Sequence, residues 1–145
     1  MAEAFRFRLE RLLELRREKE SAAQRELAEA IRQGREEAAR LAALNAEEEG
    51  LKRTSRRLGA LDLTALRMSE GYLGSLERRA RASRERLAEL GLREAEKRRA
   101  LAEAAKGVKA LERFRERKLA EWRRASDREE VRVLDEAAAA RREGA

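Results

Sequence analysis

Apolar positions recur along this chain at alternating steps of three and four residues, most clearly in its second half. Stepping in that way from Leu66 visits eighteen positions up to residue 125. Twelve of them are apolar: Leu66, Leu73, Leu76, Ala80, Leu87, Leu90, Leu101, Ala104, Val108, Leu111, Trp122 and Ala125. A stripe sustained over so many heptads predicts a coiled coil. Ser69, Ser83, Glu94, Lys97, Arg115 and Lys118 interrupt it, so a tight, uniform zipper is not expected. In the first half Leu27, Ile31, Gly34, Ala38 and Leu41 follow the same spacing. Leu44, Leu51 and Leu58 continue it after a shifted step, which predicts a local change in winding. An earlier stripe of Phe5, Leu9 and Leu12 is set apart by the more polar stretch Arg16 to Glu20.

The two periodic halves are separated by a region rich in helix punctuation. Four of the eight glycines (Gly50, Gly59, Gly71 and Gly74) fall near the middle of the chain, and Asp62 and Thr64 are residue types that cap a following helix. The reading is one coiled-coil domain over 1–145: helix one from about 5 to 58, a turn at about 59–64, and helix two from about 63 to 140. The alanines at 137–140 extend helix two, and the final Arg-Arg-Glu-Gly-Ala is expected to fray. The fold class is all-α, a long antiparallel two-helix coiled coil. At about 1.5 Å per residue the arms would measure roughly 80 and 115 Å. Phe5 would then lie level with about Lys118, leaving the last twenty or so residues of helix two unpaired.

Composition strengthens this reading. Of the 145 residues 45% are charged and 42% apolar, many of the latter alanine, and proline is absent. Ala, Leu, Glu and Arg lose little side-chain freedom in a helix, so nearly continuous helix with little globular core is expected. Glu36/Arg40, Glu48/Lys52, Glu49/Arg53, Glu77/Arg81, Glu89/Arg93 and Glu94/Arg98 each place the acid four residues before the base. That order supports an exposed helix by roughly 0.2–0.5 kcal/mol a pair. The net charge of +7 is otherwise spread among interleaved signs, as on a solvated helix surface.

The chemistry excluded is broad. Without histidine or cysteine the common general bases, nucleophile pairs and zinc ligands are missing, and no glycine loop is arranged to cradle phosphate. Glu47, Glu48 and Glu49 are consecutive, and consecutive helical side chains diverge rather than converge on an ion. No enzyme activity, cofactor or metal is therefore expected. Absence of cysteine suits a reducing compartment. Charges stand where a signal peptide needs apolar residues, and no apolar run is long enough to span a bilayer. The expected location is cytoplasmic. Nucleic-acid binding ranks low despite a pI near 10.5, because acidic residues interleave throughout and no basic face adjoins base-stacking aromatics.

What stands out is an end that is both basic and aromatic. Six basic residues oppose two acidic ones between Arg113 and Arg124, and six oppose three between Arg6 and Lys19. Folded back once, the chain lays these segments side by side with Phe5, Phe7, Phe114 and Trp122. Those aromatics can simply close the end of the coil, but together with so much arginine they point to a docking surface. A second candidate contact is Tyr72, beside Leu73 and four residues before Leu76, where a ring can pack with its hydroxyl in water.

Two stretches carry a family resemblance. Phe5-Arg6-Phe7-Arg8-Leu9-Glu10-Arg11-Leu12-Leu13-Glu14-Leu15-Arg16 and Leu111-Glu112-Arg113-Phe114-Arg115-Glu116-Arg117-Lys118-Leu119-Ala120-Glu121-Trp122 resemble the two ends of the flagellar export protein FliJ family. Val131 to Glu136 is similar to that family's acidic close. The resemblance implies a non-enzymatic stalk of the flagellar type III export apparatus, similar to the rotor stalk of rotary ATPases. It implies insertion of the tip into a hexameric export ATPase whose activity it promotes, and a link to the cytoplasmic domain of the export gate at the inner membrane. Some members also bind export chaperones. The ATPase-binding tip would comprise Phe5, Phe7, Arg8, Arg11, Arg113, Arg115, Arg117, Trp122 and Arg124. The gate-binding residues would be Tyr72 and Leu76, with Arg79 and Ser83 departing from the pattern of some members. A stalk of a virulence-type injectisome, or a scaffolding coiled coil without an ATPase, are the alternative readings.

Overall fold

The structure is a computed structural model that describes residues 3–58 and 62–144, with only the backbone described for Leu58. It contains two long helices packed against each other, α1 (Glu10–Leu58, 49 residues) and α2 (Leu63–Glu143, 81 residues). No strand occurs among the described residues. The fold is an all-α, antiparallel two-helix coiled coil. Part of the expected turn, residues 59–61, lies outside the described residues. The N-terminus of α2 does show its cap: the backbone N–H groups of Thr64 and Ala65 donate to Asp62 Oδ1 at 3.0 and 3.2 Å. One short side chain thereby satisfies two of the donors that a helix start leaves unpaired. Helix α2 remains regular through Arg141, Arg142 and Glu143, where fraying was expected.

Two compact units divide the chain, Ala23–Leu101 and Met1–Ala22 with Ala102–Ala145. In the unit spanning Ala23–Leu101 the partners run antiparallel: Lys97 with Glu26, Ser83 with Glu37, and Tyr72 with Glu47. The α2 side of its seam is the stripe read from the sequence. Leu66, Ser69, Leu73, Leu76, Ala80, Ser83, Leu87, Leu90, Glu94, Lys97 and Leu101 are all at least partly buried, the polar interruptions included.

The α1 side differs from expectation. An unbroken alternation of four and three runs through Ala23, Leu27, Ala30, Gly34, Glu37, Leu41, Leu44, Glu48, Leu51 and Ser55, all partly or fully buried, with Ile31, Gln33 and Lys52 partly buried beside it. No shifted step occurs. Ala38 is exposed, and Glu37 takes the seam position next to it at 3% exposure. A search for apolar residues passes over that carboxylate and so produces a spurious break in the pattern.

Glu37 is tolerated because everything around it donates. Ser83, fully buried opposite, donates its hydroxyl to Glu37 Oε1 at 2.6 Å, and Arg86 Nε donates to the same oxygen at 3.2 Å. Arg40 donates to Oε2 at 3.0 Å. A buried carboxylate is costly unless its lone pairs are filled this way. Among the described residues no buried side-chain polar atom lacks a partner.

In the other unit Leu13, fully buried, and Val108 form the seam, and Leu12 of the expected early stripe is 37% exposed. Salt bridges join the two sides at Glu10–Arg115 (2.9 Å) and Arg17–Glu112 (3.3 Å). Residues 3–7 are not helical, so α1 starts at Glu10 rather than at Phe5. Leu9 accepts the first helical hydrogen bond, from Leu13 N–H at 2.9 Å, and no side-chain cap precedes it.

Of the six acid-before-base pairs expected at four-residue spacing, Glu48–Lys52 and Glu94–Arg98 form, at 3.0 and 2.7 Å. Arg40 turns to Glu37 instead of Glu36, which pairs with Arg32.

The Glu37 carboxyl is held below its ordinary value, chiefly by the Ser83 hydroxyl and further by Arg86 and Arg40, while burial works in the opposite direction. Its folded pKa being depressed, its contribution to stability is complete above the unfolded value of about 4.3 and disappears as pH falls through the lower folded value. Thermal melts of the native chain and of Glu37→Gln should differ at neutral pH, with the variant melting lower. The gap should close in acid below the ordinary carboxylate range.

Candidate functional site

Four of the chain's five aromatic residues meet in the unit that joins the two ends of the sequence. Phe5 and Trp122 stack with ring centroids 6.0 Å apart at a 55° tilt, and Phe7 and Phe114 with centroids 5.8 Å apart at 57°. Tilted pairs of this kind avoid opposing the negative faces of two rings. Phe5 therefore reaches about one turn past Lys118, the level expected for a helical start. The reason is geometric. Rings two residues apart touch α2 residues eight apart, about 12 Å along its axis, whereas two helical residues rise only about 3 Å. Only a non-helical path for residues 5–7 comes close to spanning that separation.

Phe7 is the anchor of this end, 8% exposed, while Phe5, Phe114 and Trp122 are half-buried. Cations cover the rings. Arg115 lies 5.6 Å from the centre of Phe5, and Arg117 and Lys118 lie 5.7 and 5.5 Å from that of Phe114. At exposed sites each such contact stabilises by about 0.5–1 kcal/mol. Together these groups surround a pocket of about 470 Å³, lined by Phe5 to Leu9, Phe114, Lys118 and Trp122.

The basic residues of this end divide into two sets. Arg115 is committed internally, bonded to Glu10 and covering Phe5, which accounts for an arginine at a seam position. Arg11 pairs with Glu14 at 3.5 Å. Arg113, Arg117 and Arg124 instead line an open groove of about 560 Å³ with Glu116 and Ala120. None of the three has an acidic partner within 4.0 Å among the described residues. Guanidinium groups displayed in this way suit carboxylates, which they bind through paired hydrogen bonds. Arg8 is exposed and lies in the Phe5–Leu9 segment.

In the unit spanning Ala23–Leu101, Tyr72 is 42% exposed and donates its hydroxyl to the Glu47 carboxylate. Leu76 is fully buried in the seam. Of the two residues expected at a gate contact, Leu76 thus faces the partner helix and Tyr72 is the exposed one. Phe114 and Lys118, expected among the aromatic and basic residues of this end but not among its docking residues, line the same pocket as Phe5, Phe7 and Trp122. Phe114 falls between the stripe positions 111 and 115, and its ring is held by Phe7.

Among the described residues no cluster of three or more potential metal-ligating side chains occurs, and no helix is long and apolar enough to cross a membrane. Fold and aromatic end together define an α-helical coiled coil in which Phe5 to Leu9 pack beside Phe114, Lys118 and Trp122 of α2 in a basic, ring-lined surface. The family model described as flagellar FliJ protein matches residues 5–143, and the chain belongs to that family. Membership implies a non-catalytic component of the flagellar protein export apparatus. No match was found among curated proteins or among solved structures.

Two outcomes test this geometry. Phe7→Ala should cost about 3 kcal/mol, as large-to-small replacement of a buried ring does. The loss should be local, releasing residues 3–9 and shifting the emission of Trp122, the chain's single tryptophan, to the red. Tyr72, the single tyrosine, has its pKa raised, first by the hydrogen bond to Glu47 and then by desolvation. Its neutral form is favoured by folding, so that contribution is present at neutral pH and lost as pH rises through the raised value. An absorbance titration should find the phenol ionising later than free tyrosine, and Glu47→Gln should bring the midpoint down.

Proposed function

We propose that this protein is the stalk of the flagellar export ATPase. In this reading its aromatic end enters the central opening of a hexameric ring, promotes the ring's activity, and connects it to the cytoplasmic domain of the export gate. The observation that carries the proposal is the groove of Arg113, Arg117 and Arg124 beside the Phe5–Trp122 and Phe7–Phe114 pairs. It offers unpaired guanidinium groups and partly exposed rings on one helical end, a surface suited to acidic and apolar groups lining a pore. The family match is to a flagellar protein, which favours the flagellar system over an injectisome.

Arg115, engaged with Glu10 and Phe5, shapes this end, and the contacts that alternate as ring subunits change state fall to the three open arginines. Tyr72, 42% exposed, is the gate-facing residue of the proposal. The work is done in the cytoplasm, at the inner face of the membrane, with export chaperones as further partners.

Combining Arg113→Glu, Arg117→Glu and Arg124→Glu should lower stimulation of the purified flagellar ATPase by about tenfold or more, the equivalent of about 1.4 kcal/mol in coupling, with unchanged helix content. Full stimulation by the triple variant would overturn the assignment. Tyr72→Ala should leave ATPase stimulation intact and weaken binding to the gate domain.

A further inference from the structure

Past Arg124 the charge of α2 changes sign. Six basic residues oppose two acidic ones from Arg113 to Arg124, but between Asp127 and Glu136 five acidic residues oppose Arg128 and Arg132. Both of these arginines are occupied within the helix. Arg132 bonds Glu129 at 2.6 Å and approaches Glu136 at 4.0 Å, and Arg128 Nε donates to the Arg124 carbonyl oxygen at 3.3 Å. Among the described residues Asp127, Glu130 and Asp135 have no cation within 4.0 Å.

The same stretch displays apolar side chains. Every residue from Asp127 to Gly144 is exposed, including Val133 at 51% and Leu134 at 68%. Trp122, Ser126, Glu130 and Leu134 succeed one another at four-residue steps, with Glu129 and Val133 alongside, so acidic and apolar groups share one face. That face forms a shallow pocket of about 760 Å³, whose lining combines the apolar Trp122, Val133 and Leu134 with the acidic Glu3, Glu129 and Glu130.

We propose that this face is a docking site for a basic amphipathic helix of a partner protein, which seats leucine-like side chains in the pocket and lysines or arginines on the rim. Charge selects this occupant. A second copy joined through this same face would bring like charges together, and an anionic lipid surface is repelled for the same reason. The arginine groove assigned to the ATPase has the opposite sign and calls for an opposite complement. The inference does not depend on the ATPase reading, and its test contains no ATPase.

Because Trp122 lies in the pocket and is the only tryptophan, its emission reports occupancy directly. The full chain is titrated with a synthetic leucine–lysine amphipathic helix and with its leucine–glutamate counterpart. The basic peptide should give a saturable blue shift and the acidic one none. Val133→Ser with Leu134→Ser should weaken binding about tenfold or more, and Glu129→Lys with Glu130→Lys should transfer the preference to the acidic peptide. All four positions are exposed, so helix content and melting should be unchanged. Equal responses to both peptides, or undiminished basic-peptide binding in both variants, overturn the proposal. So does concentration-dependent self-association that the serine variant abolishes, which would make a second copy the occupant. Co-sedimentation with phosphatidylglycerol vesicles that the serine variant abolishes overturns it in favour of a lipid surface.

Discussion

Two helices lying side by side can shield only the narrow strip of side chains between them, and this protein is built within that limit. Among the described residues six apolar side chains are buried, Phe7, Leu13, Ala30, Leu76, Ala80 and Val108, and of these Leu13, Leu76 and Ala80 are fully withdrawn from water. A strip so thin cannot dilute an unsatisfied polar group among apolar neighbours. Each polar side chain in it must bring its own complement. Glu37 meets Ser83, Arg86 and Arg40, Lys97 meets Glu26, and Arg115 meets Glu10. Ser83 and Ala80 are small enough for the helices to approach at the carboxylate, and both are wholly buried. A polar contact that forms in only one alignment penalises every other, the role best attested for buried polar groups in coiled coils.

The same limit explains why the functional chemistry gathers where the aromatics are. Rings bury more area than alanine or leucine can, and at the Phe5–Trp122 and Phe7–Phe114 pairs they close an end that a two-residue strip would leave open. Cations then settle over the rings; Arg115 is also tied to Glu10, whereas Arg113, Arg124 and Arg117, the last beside Phe114, have no acidic partner among the described residues. Surface charge is thereby sorted into groups that hold the end together and groups that remain for a partner. Past Arg124, where every described residue from Asp127 on is exposed, the helix carries its acidic block instead.

Much of this was legible in the order of residues. The eighteen-position stripe of α2 locates its buried face at every position but Lys118 and Ala125, down to polar members such as Ser83 and Arg115, because periodicity is a property of the helix and not of any one side chain. On α1 the same method failed at Glu37, where reading hydrophobicity instead of position moved the seam to Ala38 and invented a shift in winding. Leu13 and Leu12 were confused for a related reason: adjacent leucines look alike, and the non-helical start of the chain changes which one faces inward. The candidate end was legible as a set of basic and aromatic residues. Its division into paired and open arginines was not, since pairing depends on cross-helix distances such as Glu10 to Arg115.

The non-helical lead into α1 has an evolutionary corollary. Along a helix an inserted or deleted residue turns everything beyond it by about 100°. Between Phe5 and Phe7 the same change would move one ring by about 3.3 Å and turn it toward the opposite side of the strand-like path. Phe5 and Phe7 each have a fixed counterpart on α2, so their two-residue separation cannot drift without losing one of the pairs. Length variation among related chains should therefore avoid this segment and collect elsewhere, and the Phe-x-Phe interval should be more constant than the identity of the residue it encloses.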